Sequence, residues 1–224
     1  MTQFSTKTDT AVAQIRERIS SGQFLPGQRL RVEELTRELG MSPTPIREAL
    51  RLLQADHLVD QRPHHGVVVS APSPAEAAEV YRLRALLEPL ATELSVRQLS
   101  PAALEELEHL HREMSRAMRG KELEVVADCN HKWHLSLYAG AESPRLNDFI
   151  RQLWGTFPWR IVVLPNRSKI RLKEHGAIMT AVRAGDAELA AALMRAHILS
   201  GQDDEMASFA LMVEQARAKD AKTK

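Results

Sequence analysis

Residues Leu30 to Leu53 read LRVEELTRELGMSPTPIREALRLL, and their hydrophobic spacing predicts two short helices that meet at Gly40. In the second, Ile46, Ala49, Leu50 and Leu53 fall at i, i+3, i+4 and i+7, so one side can be buried. Thr44, Arg47, Arg51 and Gln54 line a different side, where hydroxyl, guanidinium and amide groups could reach phosphates and base edges. Ser42 is placed as an N-cap, and Pro43 and Pro45 fall in the first turn, where a missing N–H is tolerated. This is the layout of a helix-turn-helix, which points to DNA. An amphipathic helix with an arginine-bearing face is, on its own, more often a solvated surface helix, so the flanking sequence has to decide.

Upstream, Val12, Ile15 and Ile19 share a helical face, and turns at Ser21-Gly22 and Pro26-Gly27 separate that helix from the pair. Downstream, Leu58-Val59 and Gly66-Val67-Val68-Val69-Ser70 read as two short strands flanking Arg62-Pro63-His64-His65. Three helices and a hairpin make a winged helix-turn-helix, with Arg62, His64, His65 and Gly66 near the wing tip. Glycine at 66 permits a close backbone approach to a groove, or simply a strained turn.

The chain has 224 residues, a formal net charge of +1 and 44% hydrophobic residues. That near-neutral balance argues against a protein that coats nucleic acid non-specifically, while leaving room for local basic patches. A single cysteine, Cys129, excludes an internal disulfide framework, and its expected role is a small buried apolar residue. No segment reaches the ~18 apolar residues of a membrane span, and MTQFSTKTDT lacks a signal-peptide core, so a cytoplasmic protein without membrane contact is expected.

Ala71-Pro72-Ser73-Pro74 marks a boundary, because two prolines in four residues end the preceding strand and stiffen the connection. The expected organisation is a DNA-binding domain over 1–70, a linker over 71–74, an all-α domain over 75–217 and a disordered tail over 218–224. In the all-α domain, Val80, Leu83, Leu87, Leu90 and Leu94 mark a first helix, and Ser100-Pro101 opens a second that ends near Gly120. A third runs from about Lys121 to Tyr138, a fourth from about Pro144 to Val163, and a fifth follows Asn166. Gly185-Asp186 separates it from a long sixth, from Ala187 towards Arg217.

His134, His175 and His197 each fall on an apolar face of a different helix of this bundle. Any one alone reads as a core histidine satisfied by a polar neighbour. Three together accumulate desolvation cost, which a first-row metal would resolve, since neutral imidazoles are good ligands for Zn²⁺ or Ni²⁺. Asn130, one turn before His134, could supply a weak fourth position through its carbonyl.

PGQRL, EELTRELGMSPTPIREALRLL and HLVDQRPHHGVVV resemble the GntR family of bacterial transcription regulators over about the first seventy residues. Many members carry an arginine where this chain has Pro43, and often a basic residue where it has Glu33. YRLRALLEPLA, NHKWH and KEHGAIMTAVRAGDAELAAALMRAHI look like the effector-binding FCD domain of the FadR branch, and six helices place the chain nearer its VanR-like members. The resemblance implies a mainly α protein, a winged helix-turn-helix followed by an all-α FCD bundle, acting as a homodimeric repressor on double-stranded operator DNA. It implies DNA contacts at Arg31, Ser42, Thr44, Arg47, Arg51, His65 and Gly66, and a divalent metal, Zn or Ni, on Asn130, His134, His175 and His197. Arg84 matches a family position that can bind the carboxylate of a small organic acid effector, a task suited to its planar fork. An intrahelical pair with Glu88 at i+4 explains Arg84 equally well. His109, His111 and His131 fall outside the motif and are expected at the surface. The alternative from another class is a metal-dependent hydrolase or lyase using the three histidines, and it lacks an identifiable general base.

Overall fold

The computed structural model describes residues 6–63, 66–71, 73–155, 165–202 and 214, and these form two compact units, one made mainly of the residues before Ser73 and a helical one that begins there. The expected tail at 218–224, the end of the fourth helix towards Val163 and His64 and His65 lie outside the described residues, as does the sixth helix from residue 203 towards Arg217, apart from residue 214.

In the first unit, α1 (Lys7–Ser20) is opened by a capping box in which the Thr6 hydroxyl accepts from the Asp9 N–H and the Asp9 carboxylate accepts from the Thr6 N–H. Its buried face is Ala11, Ile15 and Ile19, and Val12, expected there, lies at the edge of the core. α2 (Val32–Leu39) ends at Gly40, whose left-handed φ of 64° is cheap only for glycine. α3 (Pro43–Ala55) buries Ile46, Ala49, Leu50 and Leu53, as its spacing predicts.

β1 (Val59–Arg62) and β2 (Gly66–Val69) pair antiparallel, with Val59 opposite Val69 and Arg62 opposite Gly66. Arg62 is therefore the last residue of a strand rather than part of the turn. The PGQRL run does more than turn: the Gly27 N–H donates to the Val69 carbonyl, the Val69 N–H to that of Gln28, and the Leu30 N–H to that of Val67, at 2.8–2.9 Å. Residues 27–30 thus cover the outer edge of β2 and fix the root of the wing.

The helical unit comprises α4 (Pro74–Val96), α5 (Pro101–Gly120), α6 (Leu123–Ala139), α7 (Pro144–Gly155), α8 (Pro165–Ala184) and α9 (187–202). Ser73 and Pro74, read from sequence as linker, open α4: Ser73 caps the Glu76 N–H, Glu76 answers the Ser73 N–H, and Pro74 takes the first turn. Pro89 sits inside α4 and cannot donate to the Ala85 carbonyl, and Arg195 of α9 supplies the missing donor at 3.2 Å. A proline that would otherwise leave an orphan carbonyl becomes a tie between two helices. Gly140 follows α6 for a different reason, since a Cβ there would lie 2.2 Å from the Ser95 hydroxyl. Trp133, Tyr81, Tyr138, Leu107, Leu137, Ile150, Ile178 and Met179 are the largest fully buried side chains of this unit. Cys129 is a free, buried thiol, and burial pushes its pKa up, as suits a packing residue. No helix among the described residues is long and apolar enough to cross a membrane.

Candidate DNA-binding surface and metal centre

The start of α3 is chemically unusual. Ser42 holds the extended N-cap backbone (φ −69°, ψ 161°), yet its hydroxyl makes no capping bond. An N-cap oxygen normally takes the N2 or N3 N–H; N3 here is Pro45, which has none, so only the Thr44 N–H at N2 is left to it, and that bond is not made. The hydroxyls of Ser42 and Thr44 stay exposed at a helix N-terminus, where partial positive charge favours a phosphate.

Thr44, Arg47, Arg51 and Gln54 are all exposed on α3. Arg51 pairs with Glu48 at 2.9 Å, and Arg31, half-buried at the start of α2, with Glu34 at 2.9 Å. Exposed pairs of this kind contribute little and are open to exchange for a phosphate. Among the described residues the Arg47 side chain has no ion pair, so a contact with a phosphate or base edge would break none. Arg47→Ala should weaken operator binding by about 1–3 kcal/mol and relax the preference at one base pair; unchanged affinity in a fluorescence titration would remove Arg47 from the recognition set.

Gly66 has φ +72° and lies beside the Arg29 guanidinium, 3.8 Å from where a Cβ would stand. Arg29 was not among the sequence candidates. PGQRL looked like turn chemistry, and only its pairing with β2 brings that arginine to the wing. His65 lies outside the described residues.

In the helical unit, α6, α8 and α9 each place one histidine at a common point. His134, His175 and His197 are 1%, 0% and 5% exposed, and one ring nitrogen from each lies within 4.8 Å of the other two. His175 Nε2 and His197 Nε2 are 3.2 Å apart. Two ligands of a tetrahedral zinc, each ~2.0–2.1 Å from it, stand roughly 3.3–3.4 Å apart, so this spacing suits a shared cation.

Burial first, and the neighbouring histidines second, hold the His134 and His175 imidazoles well below their usual pKa; burial also lowers His197, against the opposing pull of Glu174. All three are therefore neutral near pH 7, the form a metal requires. The outward nitrogen of His197, Nδ1, donates to Glu174 Oε2 at 2.8 Å, and Glu174 Oε1 accepts from the Ser200 hydroxyl at 2.9 Å. Burial raises the Glu174 carboxyl's pKa, but the bonds from His197 and Ser200 outweigh it and hold it low. A carboxylate behind an imidazole is the usual outer support of a metal-binding histidine. Trp133 stacks on His175 at 4.5 Å and meets His134 edge-on, closing that side with apolar surface.

Asn130 is half-buried one turn before His134 on α6. Arg84 is 6% exposed, and the intrahelical alternative is realised: its Nε donates to Glu88 Oε1 at 2.6 Å, and its guanidinium lies over the Tyr81 and Trp154 rings. Glu88, fully buried, also accepts from Trp154 Nε1 at 2.9 Å and from the Tyr138 hydroxyl at 2.5 Å, and that hydroxyl lies 2.8 Å from His134 Nδ1. Tyr138, Glu174 and Ser200 were missed in the sequence, and Glu88 was read there only as a pair for Arg84. Of the three missed, two carried a signal, Tyr138 one helical turn after His134 and Glu174 directly before His175. His109 is exposed as expected, but His111 and His131 are half-buried, His131 against Trp154 at 5.1 Å, which corrects their placement at the surface.

A winged helix-turn-helix followed by a separate helical domain with a buried, polar centre has the build of a DNA-binding regulator. Residues 7–69 match the bacterial regulatory proteins of the gntR family, and residues 79–200 match the FCD domain. The chain belongs to the GntR family and carries an FCD domain.

It is 28% identical over 179 residues to the HTH-type transcriptional regulator McbR of Escherichia coli, covering 78% of this chain and 81% of that one. The solved structure of E. coli McbR/YncC superposes with a TM-score of 0.76 at 26% identity, over 94% of this chain and 98% of that one. YdhC, an HTH-type transcriptional regulator of Bacillus subtilis, is 29% identical over 188 residues, 82% of this chain and 84% of YdhC. A probable D-xylose utilization operon repressor of Paenarthrobacter nicotinovorans is 28% identical over 199 residues, 84% of this chain and 86% of that protein. The matched families and relatives are transcriptional regulators, not enzymes, which removes the hydrolase or lyase alternative. Regulators with this helix-turn-helix bind operator DNA.

Proposed function

We propose that the chain is a homodimeric repressor whose two winged heads read the half-sites of a near-palindromic operator, and that a small organic acid bound beside a divalent metal in the helical domain weakens its hold on DNA. One helix-turn-helix reads only a few base pairs, so two copies spaced by a helical turn supply the specificity. The name of the Paenarthrobacter relative supports repression as the sign.

The observation that carries the metal reading is the convergence of three buried, neutral imidazoles on one point. His134, His175 and His197 would hold the ion, Zn or Ni, with Asn130 as a weak fourth donor. The ion would supply a Lewis-acidic position for an acid's carboxylate. Arg84 is the anion partner assigned to that acid, which reaches it only by sharing the guanidinium with Glu88. To act as a switch, the acid must bind the two arrangements of the dimer with different affinity.

Metal analysis of protein purified without chelator and loaded with zinc should return about one divalent ion per chain, and a His175→Ala/His197→Ala variant should retain none. A wild type that takes up no metal under these conditions returns the three histidines to core packing. A thermal-shift screen of organic acids on the loaded and stripped forms then tests whether acid binding needs the ion.

A further inference from the structure

The inner nitrogens of His134 and His197 are directed by bonds made on the far sides of their rings, and one of these runs deep into α4. The Tyr138 hydroxyl has one proton and three neighbours: Glu88 Oε2 at 2.5 Å, Met194 Sδ at 3.4 Å and His134 Nδ1 at 2.8 Å. The proton goes to the carboxylate, because a short O–H···O⁻ bond is far stronger than one to a thioether. A phenol is protonated at neutral pH, so it has that proton to give. What the phenol oxygen turns towards His134 is then a lone pair. His134 Nδ1 must be the N–H, and in a neutral ring Nε2 is left bare. Glu174 imposes the same choice on His197 from the other side.

We propose that Glu88 and Tyr138 are positioning residues of the histidine site: Glu88 sets the direction of the Tyr138 hydroxyl, Tyr138 sets the tautomer of His134, and His134 thereby presents an electron pair, not an N–H, to a divalent cation. This rests on the metal reading above and adds two residues that would not touch the ion: Tyr138 bonds to the ligand His134 from behind, and Glu88 acts through Tyr138. Arg84 and Trp154 complete the device by occupying Glu88 Oε1, so that only Oε2 is left for Tyr138.

Glu88→Gln tests the direction of the relay. Arg84 and Trp154 are both donors, so they hold the amide oxygen and turn its NH₂ towards Tyr138. The phenol then accepts from the amide and donates to His134 Nδ1, and the single imidazole proton moves to Nε2, at the centre of the cluster. Long-range ¹H–¹⁵N correlation on metal-free protein reads this directly. The wild type should show His134 and His197 protonated at Nδ1, and Glu88→Gln should show His134 inverted with His197 unchanged. Zinc affinity, measured by competition with a chromophoric chelator, should fall about 10–100-fold in that variant. Tyr138→Phe should give a mixture of His134 tautomers and a smaller loss. A wild type with His134 protonated at Nε2, or a Glu88→Gln protein that keeps both the wild-type tautomer and zinc affinity, would overturn the proposal. If Glu88→Gln does not fold, the wild-type tautomer alone decides. A wild type that binds no zinc defeats the metal reading, yet leaves the tautomer measurement on metal-free protein intact.

Discussion

Arg84→Ala is expected to lower the unfolding free energy by about 3–5 kcal/mol in a urea titration, since removing one partner of a buried pair leaves the other uncompensated. The Arg84 and Glu88 side chains are only 7% and 0% exposed. Without the guanidinium, the carboxylate keeps two neutral donors, Tyr138 and Trp154, and no counter-charge. Arg51→Ala is the control: its pair with Glu48 is 76% and 50% exposed, and its loss should stay within about 0.5 kcal/mol. A loss below about 1 kcal/mol for Arg84→Ala would mean that water reaches Glu88. This matters for function, because an Arg84 variant that no longer answers an organic acid has two explanations, a lost anion partner and a loosened core. Folding must be measured beside binding.

Trp133→Ala should cost a similar amount, about 3–5 kcal/mol, by emptying the largest fully buried side chain of the helical unit. The ring stacks on His175 with planes 14° apart, so the cavity would open against a proposed metal ligand. Trp133→Phe separates volume from chemistry. The indole N–H has no hydrogen-bond partner among the described residues, so losing it removes a desolvation cost of about 1–3 kcal/mol that partly offsets the lost volume. Thermal denaturation should rank wild type above Phe and Phe well above Ala; equal losses would show that the indole itself, not the space it fills, supports His175.

The winged helix-turn-helix was legible because its signals are local. Ile46, Ala49, Leu50 and Leu53 repeat at helical steps, Gly40 is needed for a left-handed turn, and Pro43 can only open a helix. The wing's root was not legible, since the bond from Leu30 to Val67 joins residues far apart in sequence and PGQRL has no strand-like alternation. The three histidines could be picked from their apolar faces, and the structure brings them together. Their supports were harder: Glu88 could be paired with Arg84 by its i+4 spacing but not linked to a histidine 46 residues away, and Tyr138, though one turn after His134, reads as one more aromatic in the core. Ser42 shows the opposite failure. Its cap geometry was legible, but its hydroxyl makes no capping bond, and that Pro45 takes away one of the two usual donors was available in the sequence and not drawn from it.

α4 begins at Pro74, directly after the residues that leave the wing, and Glu88 lies 14 residues further along the same unbroken helix. At 1.5 Å per residue that is a lever arm of about 21 Å, so a tilt of only 10° about Glu88 would carry the Ser73 end sideways by about 4 Å. Pro89 removes one backbone bond at that fulcrum, and Arg195 replaces it with a side-chain bond that can lengthen or let go without unwinding the helix. The length of α4 alone thus turns a small change of angle at Glu88 into a displacement of several ångströms at the helix's first residue.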